Sequence, residues 1–508
     1  MLSVTDPGPI PPPPDRFNLA SYVLAQAGAQ PDKIALSILD RSGAERWSYA
    51  RLNQTVGGTA TGLLQQGLEP GDRVLLRLGN SVEFPLAFLG AITAGLVPVP
   101  TSAQLTEPEV ARLIDIITPR LVLRDADVSC PSTEVPVLDA AALHAMHDLP
   151  PAAPDMGDPE RLAYIVFTSG TSGQPRAVTH AHRAIWARRM MFDGWYGLTA
   201  SDRLMHAGAF NWTYTLGTGL MDPWTLGATA LIPAPGTQAA QLPLLLKRHD
   251  ATIFAAAPGV YRQMLDAGNL PALPGLRHGL VAGEKLPDPL RTRWQNVTGR
   301  DLYEAYGMSE CSTFVSACPA NPAAPGSLGR PQPGRRVAIL GDDGPVRRGS
   351  EGTIAVHRSD PGLMLGYLDA PEATAARYAG DWFCTGDQGV MDEDGNISYL
   401  GRDDDMMNAG GFRVSPLEVE AVLNTHPGIG NTAVTEIEVR PDVRVIMAFY
   451  TATGELGAAE LTAYAAERLA RYKQPRGYIR VDTLPTGANG KLLRRALRPI
   501  YEARHGAA

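Results

Sequence analysis

The sequence predicts an α/β fold in which a large N-terminal domain, residues 1–401, precedes a small α+β domain, residues 402–508. Short apolar runs rich in branched residues alternate with helical runs up to about residue 400, which is typical of parallel sheets covered by helices on both faces. From about Gly326 the strands and turns become closely spaced and predict a small antiparallel or barrel-like unit. A polar, glycine-containing stretch at residues 401–416 then indicates a connection between domains.

The elements of the N-terminal domain follow one another as strands separated by helices. The strand-like runs are residues 72–78, 121–126, 163–169, 228–233 and 251–258. The most apolar region, residues 84–100, is short for a membrane span and contains proline and glycine, so it predicts a buried helix that runs into a strand. In the C-terminal domain, residues 417–424 and 458–471 have the pattern of amphipathic helices.

Composition excludes several classes of protein. Hydrophobic residues make up 44% of the chain and charged residues 19%, which is enough apolar material for a large core. The formal charge of −8, without a basic stretch, argues against a nucleic-acid partner. The four cysteines have no metal-ligand spacing, and the N-terminus has neither a basic start nor an apolar signal segment. We therefore expect a cytoplasmic protein with no membrane span.

Residues 166–180, VFTSGTSGQPRAVTH, are the most informative segment for function. Hydroxyl-bearing residues surround Gly170 and Gly173 directly after a predicted strand. Glycines allow backbone N–H groups to turn towards one anion, and the hydroxyls add donors, so the segment predicts a phosphate-binding loop. A flexible linker of this composition is not expected between a strand and the helix-like run that begins at His182.

Six segments together resemble one superfamily. Beside residues 166–180 they are AGEKLP (282–287), EAYGMSE (304–310), WFCTGD (382–387), GRDDDMMNAGGFRVSPLEVE (401–420) and LPTGANGKLLR (484–494). In order and spacing they are similar to the motifs of the superfamily that contains acyl-CoA synthetases, peptide synthetase adenylation domains and firefly luciferase. The resemblance extends from about residue 20 to the end of the chain. Short segments such as PGVYRQML and DPWTLGA are most similar to benzoate-type and medium-chain acid–CoA ligases.

The resemblance implies two parallel αβα subdomains and a small β-barrel in the N-terminal domain, followed by a mobile C-terminal domain. It also implies an AMP-forming acid–CoA ligase that uses ATP, coenzyme A and Mg²⁺. The acid first becomes an acyl-adenylate, and the acyl group then passes to the thiol of CoA. The partners are therefore small molecules.

By resemblance, Glu310 holds Mg²⁺ with Thr168 nearby, and oxygen ligands of this kind suit that ion. Lys491 is the expected catalytic residue of the first step, because its compact charge can reach the carboxylate and the α-phosphate. Tyr306 and Gly283 suit an adenine slot by stacking and close approach. The implied ATP-binding residues are Thr168, Ser169, Gly170, Thr171, Ser172, Gly173, Arg176, Gly283, Glu284, Tyr306, Gly307, Ser309, Asp387 and Arg402.

For the second step, Asp404 matches the hinge about which the small domain rotates in the superfamily. A polar loop is suited to absorb such a backbone change. Gly410, Gly411 and Arg413 would then face the incoming CoA, where glycine leaves room for the thiol and arginine can meet a phosphate.

The chain departs from the superfamily pattern at informative places. The phosphate loop ends Pro-Arg-Ala at residues 175–177 where Pro-Lys-Gly is usual, and Ser309 replaces the commoner threonine. Asn211 stands where amino-acid-activating relatives have an aspartate for the substrate's ammonium group. An acid with an uncharged aromatic, alicyclic or medium-chain body is therefore expected. The predicted acid pocket consists of Phe210, Asn211, Trp212, Tyr214 and Met308.

Three other functions remain open from the sequence. The acyl group could pass to the phosphopantetheine of a carrier protein supplied in trans. The enzyme could oxidise its own adenylate as luciferase does, although no sequence feature favours this. A catalytically inactive nucleotide-binding module is the third, and the presence of Lys491, Glu310 and Asp387 together argues against it.

Overall fold

The structure, a computed structural model, describes residues 1–8, 10–169, 175–268, 270–409, 412–440, 443–452, 454, 456–469, 471–487 and 492–505. The chain divides into two compact units. The larger consists of residues 5–337 and 356–383, and the smaller of residues 1–4, 338–355 and 384–508. The sequence predicts a boundary between residues 401 and 402, where the mobile C-terminal domain is expected to begin. That boundary stays a prediction.

Most of the strands are short, and they follow each other closely. They are β1 (Val4–Thr5), β2 (Ile34–Leu39), β3 (Ala44–Ser48), β4 (Arg73–Arg77), β5 (Val97–Pro100), β6 (Leu121–Arg124), β7 (Val137–Asp139), β8 (Leu162–Ser169), β9 (Pro175–Ala181), β10 (Arg203–His206), β11 (Thr229–Pro233), β12 (Ile253–Ala256), β13 (His278–Ala282), β14 (Leu302–Met308), β15 (Ser312–Ser316), β16 (Arg330–Pro331), β17 (Val337–Gly341), β18 (Gly344–Pro345), β19 (Glu351–His357), β20 (Gly366–Tyr367), β21 (Tyr378–Ala379), β22 (Trp382–Met391), β23 (Ile397–Arg402), β24 (Met407–Ala409), β25 (Phe412–Val414), β26 (Ile429–Arg440), β27 (Val443–Ala452) and β28 (Gly477–Arg480).

Helices lie between most of these strands. The α-helices are α1 (Leu19–Val23), α2 (Tyr49–Gln65), α3 (Glu83–Thr93), α4 (Glu107–Ile117), α5 (Ala140–His144), α6 (Ala184–Ala187), α7 (Asp222–Leu226), α8 (Leu242–Arg248), α9 (Pro258–Asp266), α10 (Asp288–Thr298), α11 (Pro371–Ala375), α12 (Pro416–Leu423), α13 (Ala458–Ala466) and α14 (Leu497–His505). Short 3₁₀ helices occur at Ala25–Ala27, Ala239–Gln241, Asp403–Asp405, Arg471–Lys473 and Arg494–Ala496, and π-helical segments at Phe192–Tyr196 and Thr215–Met221. None of the helices in the described ranges combines the length and hydropathy that crossing a membrane requires.

Two sheets with parallel strands form the framework of the larger unit, as predicted. One has the order β5-β4-β6-β7 and is parallel throughout. The other has the order β16-β15-β14-β13-β12-β10-β11-β2-β3, in which the strands from β14 to β2 are parallel and the ends are antiparallel. The apolar residues 84–100 form helix α3 and strand β5, and almost all of them are buried, which confirms the prediction for this segment.

Strand β8 differs from the expectation of a parallel strand followed by a helix. It pairs antiparallel with β9, and β20 pairs with the other edge of β9. The predicted phosphate loop therefore connects two strands of a hairpin, and the expected helix from His182 is only the single turn α6. Residues 175–181 become a strand because partners on both edges complete their backbone hydrogen bonds, and one of these partners, β20, is distant in the sequence.

The region after Gly326 also differs. Its sheet has the order β1-β17-β19-β22-β21, with β18 on β17 and β23 on β22. Within the described residues the end strands β1 and β21 do not pair, so the predicted small β-barrel is an open sheet. Closing a barrel requires both edges to form a ladder, and strands of two residues are too short to do so.

The C-terminal part of the smaller unit has the predicted α+β composition. Its three-stranded sheet has the order β26-β27-β28, with antiparallel and parallel pairs, and α12 packs on β26. Helix α12 matches the prediction within one residue, whereas α13 ends at Ala466 and is shorter than predicted.

Candidate active site

The carboxyl ends of the central parallel strands form the edge on which the candidate site is built. Strand β10 lies between β11 and β12. The next strand in the sequence, β11, pairs with one edge of β10, and the strand after it, β12, pairs with the other edge. Such a reversal of strand order opens a crevice at the carboxyl ends, where open α/β sheets bind their ligands. His206 ends β10, Ala282 ends β13 immediately before Gly283, and Met308 ends β14.

Glu310, the predicted magnesium ligand, lies just beyond the end of β14 and is buried, with 8% of its surface exposed. The hydroxyl of Tyr367 donates a hydrogen bond to its Oε1 over 2.8 Å. Burial and the neighbouring Glu310 raise the pKa of Tyr367 to about 12, so this tyrosine remains a donor at neutral pH. The carboxylate is therefore held in one orientation by a dedicated partner.

The backbone around Glu310 is also held from two sides. The Nε2 of His180, on β9, donates to the carbonyl of Ser309 over 2.7 Å, and the amide of Met364 donates to the carbonyl of Glu310 over 2.8 Å. Burial lowers the pKa of His180 to about 4, so the ring is neutral at pH 7. The neutral tautomer with a proton on Nε2 fits this contact.

The hairpin of β8 and β9 brings further predicted residues to this place. Thr168 and Arg176 are directly opposite each other in the ladder. The guanidinium carbon of Arg176 lies 5.1 Å from the centre of the Tyr367 ring, within the range of a cation–π contact. Tyr367 therefore contacts both the carboxylate of Glu310 and the arginine that replaces the usual lysine of the loop.

Sequence reasoning missed Tyr367 and His180. The available signal for Tyr367 was an aromatic residue directly after a glycine, in a segment of turn-forming residues at 360–371. For His180 the sequence contained no signal, because its role depends on the pairing of β9.

Gly283 and Trp212, which the sequence assigned to different pockets, are direct neighbours. Gly283 has a φ of +95°, and a Cβ built there would lie 2.4 Å from Cζ2 of Trp212. The indole therefore packs on the bare backbone of Gly283, at the place where adenine stacking was predicted. Position 307 is likewise restricted to glycine, since a Cβ there would lie 2.1 Å from the carbonyl oxygen of Ser312. Tyr306 makes an edge contact with Phe314, with ring centres 5.2 Å apart.

The residues of the predicted acid pocket fall into two groups. Phe210 is 1% exposed and packs on Phe84 in the hydrophobic core, with ring centres 5.5 Å apart. Asn211, Trp212 and Met308 are partly buried. The ring of Tyr214 is perpendicular to that of Trp212, and its hydroxyl donates to the carbonyl of Leu280 over 3.0 Å. Together Trp212 and Tyr214 form an aromatic wall beside the ends of β10 and β13.

A buried ion pair connects Asp222, the first residue of helix α7, to strand β15 through Arg188. Arg188 donates from Nε and Nη2 to the carboxylate of Asp222 over 2.8 and 2.6 Å, and from Nη1 to the hydroxyl of Ser312 over 2.5 Å. Asp222 is completely buried. A Cβ at Gly217, within the π-helical segment, would lie 2.2 Å from the guanidinium carbon, so only glycine allows this approach.

In the smaller unit, the two predicted ribose-binding residues are cross-strand neighbours. Asp387 on β22 pairs with Arg402 on β23, and Nη1 of Arg402 lies 3.9 Å from Oδ1 of Asp387. The amide of Asp387 donates to the hydroxyl of Thr385 over 3.1 Å. Glu284, in the larger unit, is partly buried beside Gly283.

Several predicted residues lie outside the described part of the chain. They are Gly170, Thr171, Ser172, Gly173, Gly410, Gly411 and Lys491, together with the side chains of Ser169, Asp404 and Arg413. Their roles stay predictions.

Comparison with known proteins identifies two family profiles in the chain. The AMP-binding enzyme family matches residues 23–368, and the AMP-binding enzyme C-terminal domain matches residues 418–491. Benzoate–CoA ligase of Thauera aromatica is 30% identical, with 98% of this chain and 99% of that protein aligned. The human mitochondrial acyl-coenzyme A synthetase ACSM3 is 29% identical over 96% of this chain and 90% of its own length. The crystal structure of a benzoate CoA ligase from Burkholderia xenovorans LB400 superposes with a TM-score of 0.84, at 28% identity over 95% of this chain and all of the other.

Proposed function

The chain belongs to the family of AMP-binding enzymes, and from this premise we propose that it is an ATP-dependent, AMP-forming acid–CoA ligase. Its substrate is a monocarboxylic acid with an aromatic, alicyclic or medium-chain body. The observation that carries the proposal is the buried carboxylate of Glu310, which Tyr367 orients at the carboxyl edge of the sheet beside the hairpin of Thr168 and Arg176.

In the first step, an oxygen of the acid's carboxylate attacks the α-phosphorus of ATP. The bond from that phosphorus to the β-phosphate bridging oxygen breaks, pyrophosphate leaves, and the acyl-adenylate forms. Two anions must approach each other in a site that is poor in water, so positive charge has to be placed in advance. Arg176 and Lys491 are the proposed sources of that charge within the chain.

The donor set also fits the magnesium ion that this chemistry requires. Glu310 and Thr168 offer oxygen atoms, and the hydrogen bond from Tyr367 occupies Oε1 of Glu310 from one side only. Magnesium, when bound, would offset charge on the phosphate oxygens. Asp387 and Arg402 are proposed to hold the ribose, with Tyr306, Gly307 and Gly283 around the adenine.

In the second step, the thiol of CoA loses its proton and its sulfur attacks the carbonyl carbon of the adenylate. The bond to the AMP oxygen breaks, and acyl-CoA and AMP leave. We assign the change between the steps to rotation about Asp404, after which Gly410, Gly411 and Arg413 face the CoA. Cytoplasmic location stays part of this proposal, and cell fractionation would test it, since some relatives are named as mitochondrial.

The test is pyrophosphate release and acyl-CoA formation by the purified chain across a panel of acids, with and without CoA. Benzoate, cyclohexanecarboxylate and octanoate are expected to react better than acetate, because each buried methylene contributes about 0.8 kcal/mol. Amino acids are expected to react poorly, because Asn211 provides no charge for an ammonium group. Pyrophosphate release that ignores free CoA would favour loading of a carrier protein instead.

Two variants connect the panel to the structure. Glu310→Gln retains an oxygen that can accept the bond from Tyr367 but removes the charge, and we expect a loss of adenylation of about 10²-fold or more. Tyr367→Phe removes only the hydroxyl and should reduce adenylation by a smaller factor than Glu310→Gln. Full activity of Glu310→Gln at an unchanged melting temperature would contradict the proposed site.

A further inference from the structure

Glu83, His144 and His147 form a cluster of potential metal ligands that the proposed function does not use. Glu83 is the first residue of helix α3, His144 is the last residue of α5, and His147 follows three residues later. One ligand atom from each side chain lies within 4.8 Å of the other two. No other group of three histidine, cysteine or acidic side chains in the described part of the chain converges in this way.

The fold places both histidines on the same side of a tight turn. The amides of Met146 and His147 donate to the carbonyls of Leu143 and His144 over 3.0 and 3.1 Å. The chain after α5 therefore continues with about three residues per turn, and side chains three residues apart lie one above the other. Leu143 and Met146 are buried in the hydrophobic core and anchor the turn there.

Helix α2 packs closely against this turn. A Cβ at Gly62 would lie 2.3 Å from Cγ of Met146, and one at Gly58 would lie 2.7 Å from the carbonyl oxygen of Met146, so only glycine allows the approach. The ring of Trp47 makes an edge contact with that of His147, with centres 5.9 Å apart. Packing thus fixes the position of the buried His147 before any ligand binds.

The distances within the cluster suit a metal ion with nitrogen and oxygen ligands. Oε2 of Glu83 lies 3.0 Å from Nε2 of His147, and Oε1 lies 3.6 Å from Nδ1 of His144. Zinc binds such atoms at about 2.0–2.2 Å in tetrahedral sites, which places neighbouring ligand atoms about 3.3–3.6 Å apart. One observed distance lies in this range and the other is slightly shorter, so small side-chain rotations can place an ion between them.

A hydrogen bond between Glu83 and His147 accounts for only part of the cluster. The contact of 3.0 Å pairs one imidazole with the carboxylate, whereas the distance of 3.6 Å from His144 is too long for a hydrogen bond. The ring of His144 nevertheless lies beside that of His147, with centres 4.5 Å apart. Two imidazoles directed at one carboxylate are a ligand set that holds zinc in known sites.

The exposure of the three side chains gives an ion a path to the site. The side chain of His144 is 73% exposed, whereas those of His147 and Glu83 are 8% and 12% exposed. An ion from solvent can therefore meet His144 first and then reach the two buried ligands. The open side leaves the fourth position of a tetrahedral site for water.

We propose that Glu83, His144 and His147 bind one divalent transition-metal ion, and that this ion is zinc, which suits imidazole and carboxylate ligands. The bound ion connects the turn after α5 to the first residue of α3 and stabilises the larger unit. The site shares no residue with the proposed magnesium site at Glu310 and Thr168, whose oxygen ligands suit a harder ion. It is an addition to the proposed ligase chemistry and does not depend on it.

The first experiment measures zinc binding to the purified, untagged, full-length chain after treatment with a chelator. Equilibrium dialysis with elemental analysis should find one zinc ion per chain, with a Kd in or below the micromolar range. At zinc concentrations of about 100 times Kd, the melting temperature should rise by about 3–4 °C for a unit of this size. Absence of binding at micromolar zinc would overturn the proposal.

X-ray absorption spectroscopy of the zinc-loaded chain identifies the ligand atoms. We expect nitrogen and oxygen neighbours at about 2.0–2.2 Å. Sulfur neighbours at about 2.3 Å would assign the zinc to cysteines and overturn the proposed site.

Two substitutions test the ligands. His144→Ala removes a largely exposed side chain, so the fold should be retained, and it should weaken zinc binding by more than about 100-fold, since losing even a partner of a ligand costs about 10–100-fold. Glu83→Gln keeps an oxygen beside His147 but removes the charge, and it should weaken binding at least about tenfold. Wild-type zinc affinity in both variants would overturn the proposal.

Two control variants should bind zinc as the wild type does. Glu460→Gln removes a carboxylate whose Oε1 lies 3.4 Å from Nε2 of the buried His426, a pair that lacks a third ligand within the described residues. Glu310→Gln changes the proposed magnesium site and should lose adenylation but not zinc. Loss of zinc in either control would place the ion elsewhere and overturn the proposal, and the ligase assignment is decided separately by adenylation.

Discussion

Replacing Arg188 by methionine should destabilise the larger unit strongly, because it leaves a buried charge without its partner. Arg188 is 7% exposed and Asp222 is completely buried. After the substitution, the hydroxyl of Tyr196, 2.7 Å from Oδ2, is the neighbour that still donates to the carboxylate of Asp222. Burial alone would lower the pKa of Arg188, but the interaction with Asp222 outweighs it and raises this pKa, which indicates strong coupling.

The size of the effect follows from the burial of the pair. Removing one partner of a buried ion pair costs about 3–5 kcal/mol, whereas replacing both by apolar residues of similar volume is often neutral. Globular proteins have an unfolding entropy of about 2.1 cal/mol/K per residue, which for the roughly 360 residues of the larger unit is about 0.8 kcal/mol/K. We therefore expect Arg188→Met to lower the melting temperature by about 4–7 °C.

Calorimetry on wild type, Arg188→Met and the double variant Arg188→Met with Asp222→Leu tests this reasoning. The double variant should recover most of the lost stability, because no buried charge remains. It should still have a raised KM for the acid, since the bond from Arg188, which follows helix α6, to Ser312 on β15 is lost. A decrease below 1 °C in Arg188→Met, or a double variant no more stable than the single one, would refute the argument.

Three further outcomes are expected. Lys491→Ala should lose about 10²-fold or more in ATP–pyrophosphate exchange but still form thioester from supplied acyl-adenylate and CoA, and near-normal exchange would remove Lys491 from the first step. Gly411→Leu should release pyrophosphate yet fail to form acyl-CoA, with Gly411→Ala and its melting temperature as the control, and normal acyl-CoA formation would place the thiol's path elsewhere. Burial raises the pKa of Glu304 to about 7, so its ionisation destabilises the folded state as pH rises. Relative to Glu304→Gln, the wild type's unfolding free energy should fall by about 2.5 kcal/mol from pH 5 to pH 8 in urea titrations, and a constant difference would contradict this.

Local patterns in the sequence determined the helices and the parallel strands well. Residues 84–100 were predicted as a buried helix entering a strand and form α3 and β5. These features depend on periodicity and on residue order, which a single sequence contains.

Pairing between distant segments was decided only by the tertiary structure. Strand β9 was not expected, because its partners β8 and β20 lie on either side of it and one of them is nearly two hundred residues away. The same holds for the predicted barrel, whose end strands are too short to close it. The backbone hydrogen bonds at a strand's edge depend on which other strand packs beside that edge. Local propensity contains no information about the identity of this partner strand.

The sequence by itself predicted the chemistry of this protein, through residue types in order: an expected phosphate loop, an expected magnesium-binding glutamate at Glu310 and an expected ribose-binding aspartate at Asp387. It could not determine which distant side chains would be brought together. Tyr367 lies 57 residues from the carboxylate that it orients. Burial and hydrogen-bond satisfaction are properties of the packed chain, so the contact that orients the carboxylate of Glu310 emerges only after folding.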